Sequence, residues 1–141
     1  MDGVVPPTES LLDDVREALS HLSAVEDASH LRGAVLVVDD DARLAEITAR
    51  GLRRLGFDAD SSGAIRSLKA REVLVFDLSL LDSLDRAAHQ YVRSNRPIVV
   101  TGATDPASRT LADRLDASDY LVKPIELDEL AAAINRRMEE G

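Results

Sequence analysis

Ala34-Val35-Leu36-Val37-Val38-Asp39-Asp40-Asp41 is the stretch on which the fold turns. Five successive apolar residues, mostly β-branched, predict a strand buried on both faces, and three carboxylates end it. The pattern returns at Val73-Leu74-Val75-Phe76-Asp77 and Pro97-Ile98-Val99-Val100-Thr101, with weaker strands at residues 57–61 and at Tyr120-Leu121-Val122. Helix-period segments separate these runs, at residues 42–55, 64–70, 83–94, 106–115 and 126–138. Gly56 punctuates the end of the first, and Pro106 stands where a first-turn proline is tolerated. Alternation of this kind predicts an α/β domain, a parallel sheet with helices on both faces, over residues 34–141.

Residues 1–33 read differently. Pro6-Pro7 ends an extended lead, Ser10 with Asp13 makes a capping box, and Leu12, Val15, Leu19 and Leu22 recur at helical spacing. They predict a separate extension carrying one amphipathic helix, whose apolar stripe docks on its own domain or on another chain.

Composition narrows the function. The 141 residues hold 17 basic and 26 acidic side chains, a formal charge of −9, and no cysteine, which excludes a disulfide scaffold, a thiolate zinc site and cysteine catalysis. Acidic balance and only four aromatics, Phe57, Phe76, Tyr91 and Tyr120, argue against direct nucleic-acid binding. The start of the chain has neither a basic n-region nor an apolar h-region, and no apolar run reaches 18 residues, so the expectation is a cytoplasmic chain without membrane contact. His21, His30 and His89 share no metal-ligand spacing, and Arg53-Arg54 and Arg136-Arg137 read as solvated helix faces.

In open parallel sheets ligands bind outside the carboxyl ends of the strands. Asp39, Asp40 and Asp41 follow the first strand, Asp77 the third, Thr101-Gly102 the fourth and Lys123-Pro124 the fifth. Asp41 reads as a helix cap. Converging Asp39, Asp40 and Asp77 repel one another and call for a cation, and hard oxygen ligands suit Mg²⁺. A carboxylate can attack phosphorus to give an acyl phosphate, whose added charge an ammonium such as Lys123 and a hydroxyl such as Thr101 can offset.

With those residues in order, the segment from Val35 to Met138 resembles the receiver domain of bacterial two-component response regulators. The matching motifs are Val37-Val38-Asp39-Asp40, Val75-Phe76-Asp77, Val99-Val100-Thr101-Gly102 and Asp119-Tyr120-Leu121-Val122-Lys123-Pro124. The resemblance implies a flavodoxin-like sheet of strand order 2-1-3-4-5. It implies a signalling domain rather than an enzyme, with Asp77 as phosphoacceptor and a sensor histidine kinase as donor. Mg²⁺ would be held by Asp39, Asp40, Asp77 and the carbonyl of Ser79, with Thr101 as switch hydroxyl, Lys123 as its ion-pair partner and Tyr120 as aromatic switch. The same resemblance implies a responsive face over residues 106–138, meeting a downstream protein or a second copy. Leu78-Ser79-Leu80-Leu81-Asp82-Ser83 departs from the family by lacking Pro and Gly, and the spans around Asp77 are short, so the second and third helices are expected to be trimmed.

Two other readings fit parts of the pattern. One is a pseudo-receiver, folded alike but binding proteins without phosphorylation. The other is a phosphohydrolase of the haloacid dehalogenase type, with Asp39 as nucleophile and Asp41 as its acid/base partner; it leaves Asp77 unexplained.

Overall fold

The computed structural model describes residues 32–102 and 105–140, and the amphipathic helix expected within residues 1–33, around Leu12 to Leu22, lies outside them. Elements follow in the order β1 (Ala34–Val38), α1 (Ala42–Arg54), β2 (Asp58–Ser62), β3 (Val73–Asp77), a 3-10 turn (Leu78–Ser83), α2 (Arg86–Ser94), β4 (Ile98–Thr101), α3 (Pro106–Arg114), β5 (Asp119–Val122) and α4 (Leu127–Glu139). All five strands are parallel, in the order β2-β1-β3-β4-β5. The α/β reading and the 2-1-3-4-5 order are therefore what the molecule adopts.

Side-chain alternation sorts the core into two layers. Val35, Val37, Val73, Val75, Ile98 and Val100 point to one face, where Ala45, Ala49 and Leu52 of α1 and Leu130, Ala131 and Ile134 of α4 cover them. Leu36, Val38, Leu74, Phe76 and Val99 point to the other, against Val92 of α2 and Ala112 of α3. Gly51 lets the two helices of the first layer approach, since a Cβ there would stand 2.9 Å from the Leu127 side chain. β2 is the polar edge strand, with Asp58 and Asp60 exposed, which blunts edge pairing.

Three expectations need correction. Residues 64–70 form no helix; the link from β2 to β3 is an irregular strap. Ile65 and Leu68, whose three-residue spacing mimics a helical stripe, instead pack against the second layer from irregular backbone. Only ten residues separate Ser62 from Val73, at the lower limit for a crossover that includes a helix, and side chains satisfy the strap locally. Buried Glu72 accepts from both terminal nitrogens of the Arg66 guanidinium (3.0 and 3.1 Å) and from the Lys69 N–H (2.8 Å), while the Leu68 N–H donates to the Tyr91 hydroxyl at 2.7 Å. The helix expected over residues 83–94 starts only at Arg86, because Asp85 caps it through the Ala88 N–H. Phe57, expected to open the second strand, is fully buried just before it. Among the described residues no helix is long and apolar enough to cross a membrane.

Candidate functional site

β1, β3 and β5 bring Asp39, Asp77 and Lys123 to one end of the sheet. β1 and β3 pair through Val38 and Phe76, so the residues that follow emerge side by side. The Lys123 ammonium donates to Asp77 Oδ2 at 2.8 Å and to Asp39 Oδ2 at 3.1 Å. The other oxygens are held by backbone: the Ser79 N–H donates to Asp77 Oδ1 at 3.0 Å, and the Asp41 N–H to Asp39 Oδ1 at 2.9 Å. The turn after Asp77 thus uses the carboxylate as its own cap without Pro or Gly. Asp41 caps α1 as expected, accepting from the N–H groups of Arg43 and Leu44.

Asp39 and Asp77 are buried and Asp40 is exposed; one carboxylate oxygen from each lies within 4.8 Å of the others. Three carboxylates and one ammonium leave a net charge of −2, with hard oxygen donors and one side open to water, a set that fits a divalent cation such as Mg²⁺. The charges show in the acidities. Burial raises both buried carboxyls, and the outcome is decided by neighbours: Lys123 and the Ser79 N–H hold Asp77 below the ordinary carboxylate range, whereas Asp39 remains above it beside the Asp77 charge. Burial depresses the Lys123 ammonium, but bonds to Asp77 and Asp39 outweigh this and raise it.

Thr101 ends β4, buried, and its carbonyl accepts from the Lys123 N–H at 2.8 Å, tying the switch candidate to the lysine backbone. At Gly102 a Cβ would meet nothing within 4 Å, so this side of the site is open. Tyr120 points to the second core layer and is half-buried, with the Arg109 guanidinium 4.8 Å above its ring. A cavity of about 470 Å³ runs from Asp39, Asp77 and Lys123 between α1 and α4, past Leu44, Thr48 and Ile125.

All the sequence candidates except Tyr120 gather at this edge. Sequence reading missed the Ser79 hydroxyl, which donates to Asp40 Oδ1 at 3.2 Å; only the Ser79 carbonyl was expected to matter. A serine two residues after an expected phosphoacceptor was the available signal. The chosen backbone of the 3-10 turn, which swings that hydroxyl toward β1, was not legible.

No protein-family model matches the chain. Among curated proteins it is similar to the DNA-binding response regulator MtrA of Mycobacterium tuberculosis, 35% identical over 118 residues, covering 77% of this chain and 51% of that one. The photosynthetic apparatus regulatory protein RegA of Rhodovulum sulfidophilum is 30% identical over 111 residues, covering 72% and 61%. The chain spans about half the length of the curated relatives it matches first. A solved response regulator receiver protein from Burkholderia phymatum superposes with a TM-score of 0.64 at 22% identity, covering 77% of this chain and 96% of that one, a likeness of fold. A response regulator from Burkholderia pseudomallei, solved with a phosphorylated aspartic acid, calcium ion and citrate, superposes at 0.54 with 27% identity over 77% and 69%.

Proposed function

The chain carries a response-regulator receiver domain, and from that premise we propose that it is a phosphoryl-accepting signalling switch whose acceptor is Asp77. The observation that carries the reading is the pair of bonds from Lys123 to Asp77 and Asp39 at the carboxyl edge of the sheet. In the proposed step an Asp77 carboxylate oxygen attacks the phosphorus of a phosphohistidine on a sensor histidine kinase. The new O–P bond forms as the N–P bond breaks, and the imidazole nitrogen leaves with the bonding pair. Low basicity suits Asp77 to staying ionised, and so nucleophilic, at neutral pH. Mg²⁺, held by Asp39, Asp40, Asp77 and the Ser79 carbonyl, would offset charge on the transferring group. Lys123 is placed to follow the added charge, and the open space at Gly102 leaves the donor an approach.

Coupling would run through Thr101. Movement of its hydroxyl toward the phosphoryl group pulls on the β4–β5 edge through the bond to the Lys123 N–H, and Tyr120 sits two residues before that strand ends. The surface biased in this way is the face over residues 106–138, meeting a protein target or a second copy. We place the receiver at residues 34–141, with residues 1–33 as an extension.

Intact-protein mass after incubation with acetyl phosphate tests the reading. The expected result is one phosphoryl adduct that needs Mg²⁺ and disappears in Asp77→Asn. An adduct persisting in that variant overturns the site. No adduct in folded, Mg²⁺-loaded protein, from acetyl phosphate or from phosphorylated kinase, favours the pseudo-receiver.

A further inference from the structure

We propose that the groove between α2 and α3 binds an acidic peptide segment of a partner protein. The groove encloses about 510 Å³ and is lined by Arg86, His89 and Arg93 of α2, Arg114 of α3, and Leu84 and Asp85 from the link before α2. Arg86, His89 and Arg93 fall at i, i+3 and i+7, one helical face about 10 Å long, and Arg114 answers from the neighbouring helix. Among the described residues, none of these four basic side chains makes an ion pair. Arg43, Arg54, Lys69, Arg71 and Arg137 also make none, but none of them lines this groove, so what sets the four apart is that they gather on one surface of a chain of net charge −9. Arg50, Arg53, Arg66, Arg96, Arg109 and Arg136 have each taken a carboxylate. The one acid in the groove, Asp85, is engaged by the Ala88 N–H as the cap of α2.

Three features select the occupant. Guanidinium forks match carboxylates in bidentate geometry, and an extended peptide places same-side carboxylates about 7 Å apart, within the length of the stripe. The three arginines are exposed, so the groove is an open, cation-lined surface rather than the enclosed pocket that buries a small ligand. With a stripe about 10 Å long and Asp85 standing within it, the groove offers too few cationic contacts for a nucleic-acid backbone, whose affinity rests on many neutralised phosphates.

Fluorescence anisotropy on the full, unphosphorylated chain tests this, with a labelled peptide of alternating Glu and Ser, its Gln-for-Glu counterpart, and single-stranded DNA of equal length. The expected result is saturable, salt-sensitive binding of the Glu peptide only. It weakens at least about tenfold in Arg86→Glu/Arg93→Glu and in Arg114→Glu, and is unchanged in Arg54→Glu, an exposed arginine on α1. In the wild-type protein, peptide-induced amide NMR shifts should fall on residues 84–93 and around Arg114. Equal loss in Arg54→Glu, shifts mapping elsewhere, equal binding of the Gln peptide, preferred binding of DNA, or no binding to the wild-type chain overturns the proposal.

Discussion

Lys123 decides the chemistry of two carboxylates at once. It is the counter-charge between Asp39 and Asp77, and its removal leaves two buried negative groups facing each other. In Lys123→Ala the Asp77 carboxyl, held below the ordinary range in the intact site, should titrate at higher pH, because loss of an adjacent positive charge disfavours the ionised form. Carbon-detected NMR titration of the Asp77 carboxyl reads this directly, and an unchanged midpoint would mean that the Ser79 N–H alone sets the acidity. Ser79→Ala isolates the other contact: it removes the hydroxyl from Asp40 but keeps the backbone bond to Asp77, so it should change the lifetime of an acyl phosphate more than the extent of labelling. The acidic residues and Lys123 were legible in the sequence because each terminates an apolar run. Their pairing was not, since it depends on strands distant in the chain lying side by side.

The irregular strap between β2 and β3 shows why element boundaries are harder to read than strands. A buried strand declares itself in its own residues, whereas Ile65 and Leu68 fit either a helix or a strap until the distance to be spanned is known. Glu72, with its side chain 1% exposed, anchors that strap through Arg66, which is 32% exposed. Burial raises the Glu72 carboxyl, but Arg66 and the Lys69 N–H outweigh this and lower it. A carboxyl lowered on folding contributes stability above its unfolded value, near pH 4.3, that is lost as pH falls through the lower folded value. Glu72→Ala should therefore cost about 3 kcal/mol at pH 7, at the low end for a broken buried pair because Arg66 can return to water. Urea unfolding should also show a flatter loss of stability below pH 5 than in the parent protein. At the start of α1, Asp41→Ala removes a side-chain cap from two N–H groups and should cost about 1 kcal/mol in the same assay.

At the scale of the molecule, one edge of the sheet carries a net −2 cluster, and its self-repulsion opposes folding. A dication that binds only the folded cluster should stabilise the whole domain. At ten times its dissociation constant Mg²⁺ should add about 1.4 kcal/mol, roughly 5 °C in Tm by calorimetry, and Asp39→Asn should abolish the shift. The α/β class, the strands and the acidic and basic groups that close them were determined by the sequence alone, because burial on both faces and the end of a strand are local properties written in consecutive residues. The bonds of Lys123 to two carboxylates, the strap in place of a helix, and the gathering of Arg86, Arg93 and Arg114 into one groove were decided only by the tertiary structure. Each depends on which distant segments become neighbours, and that is settled by the packing of the whole sheet rather than by any stretch of chain.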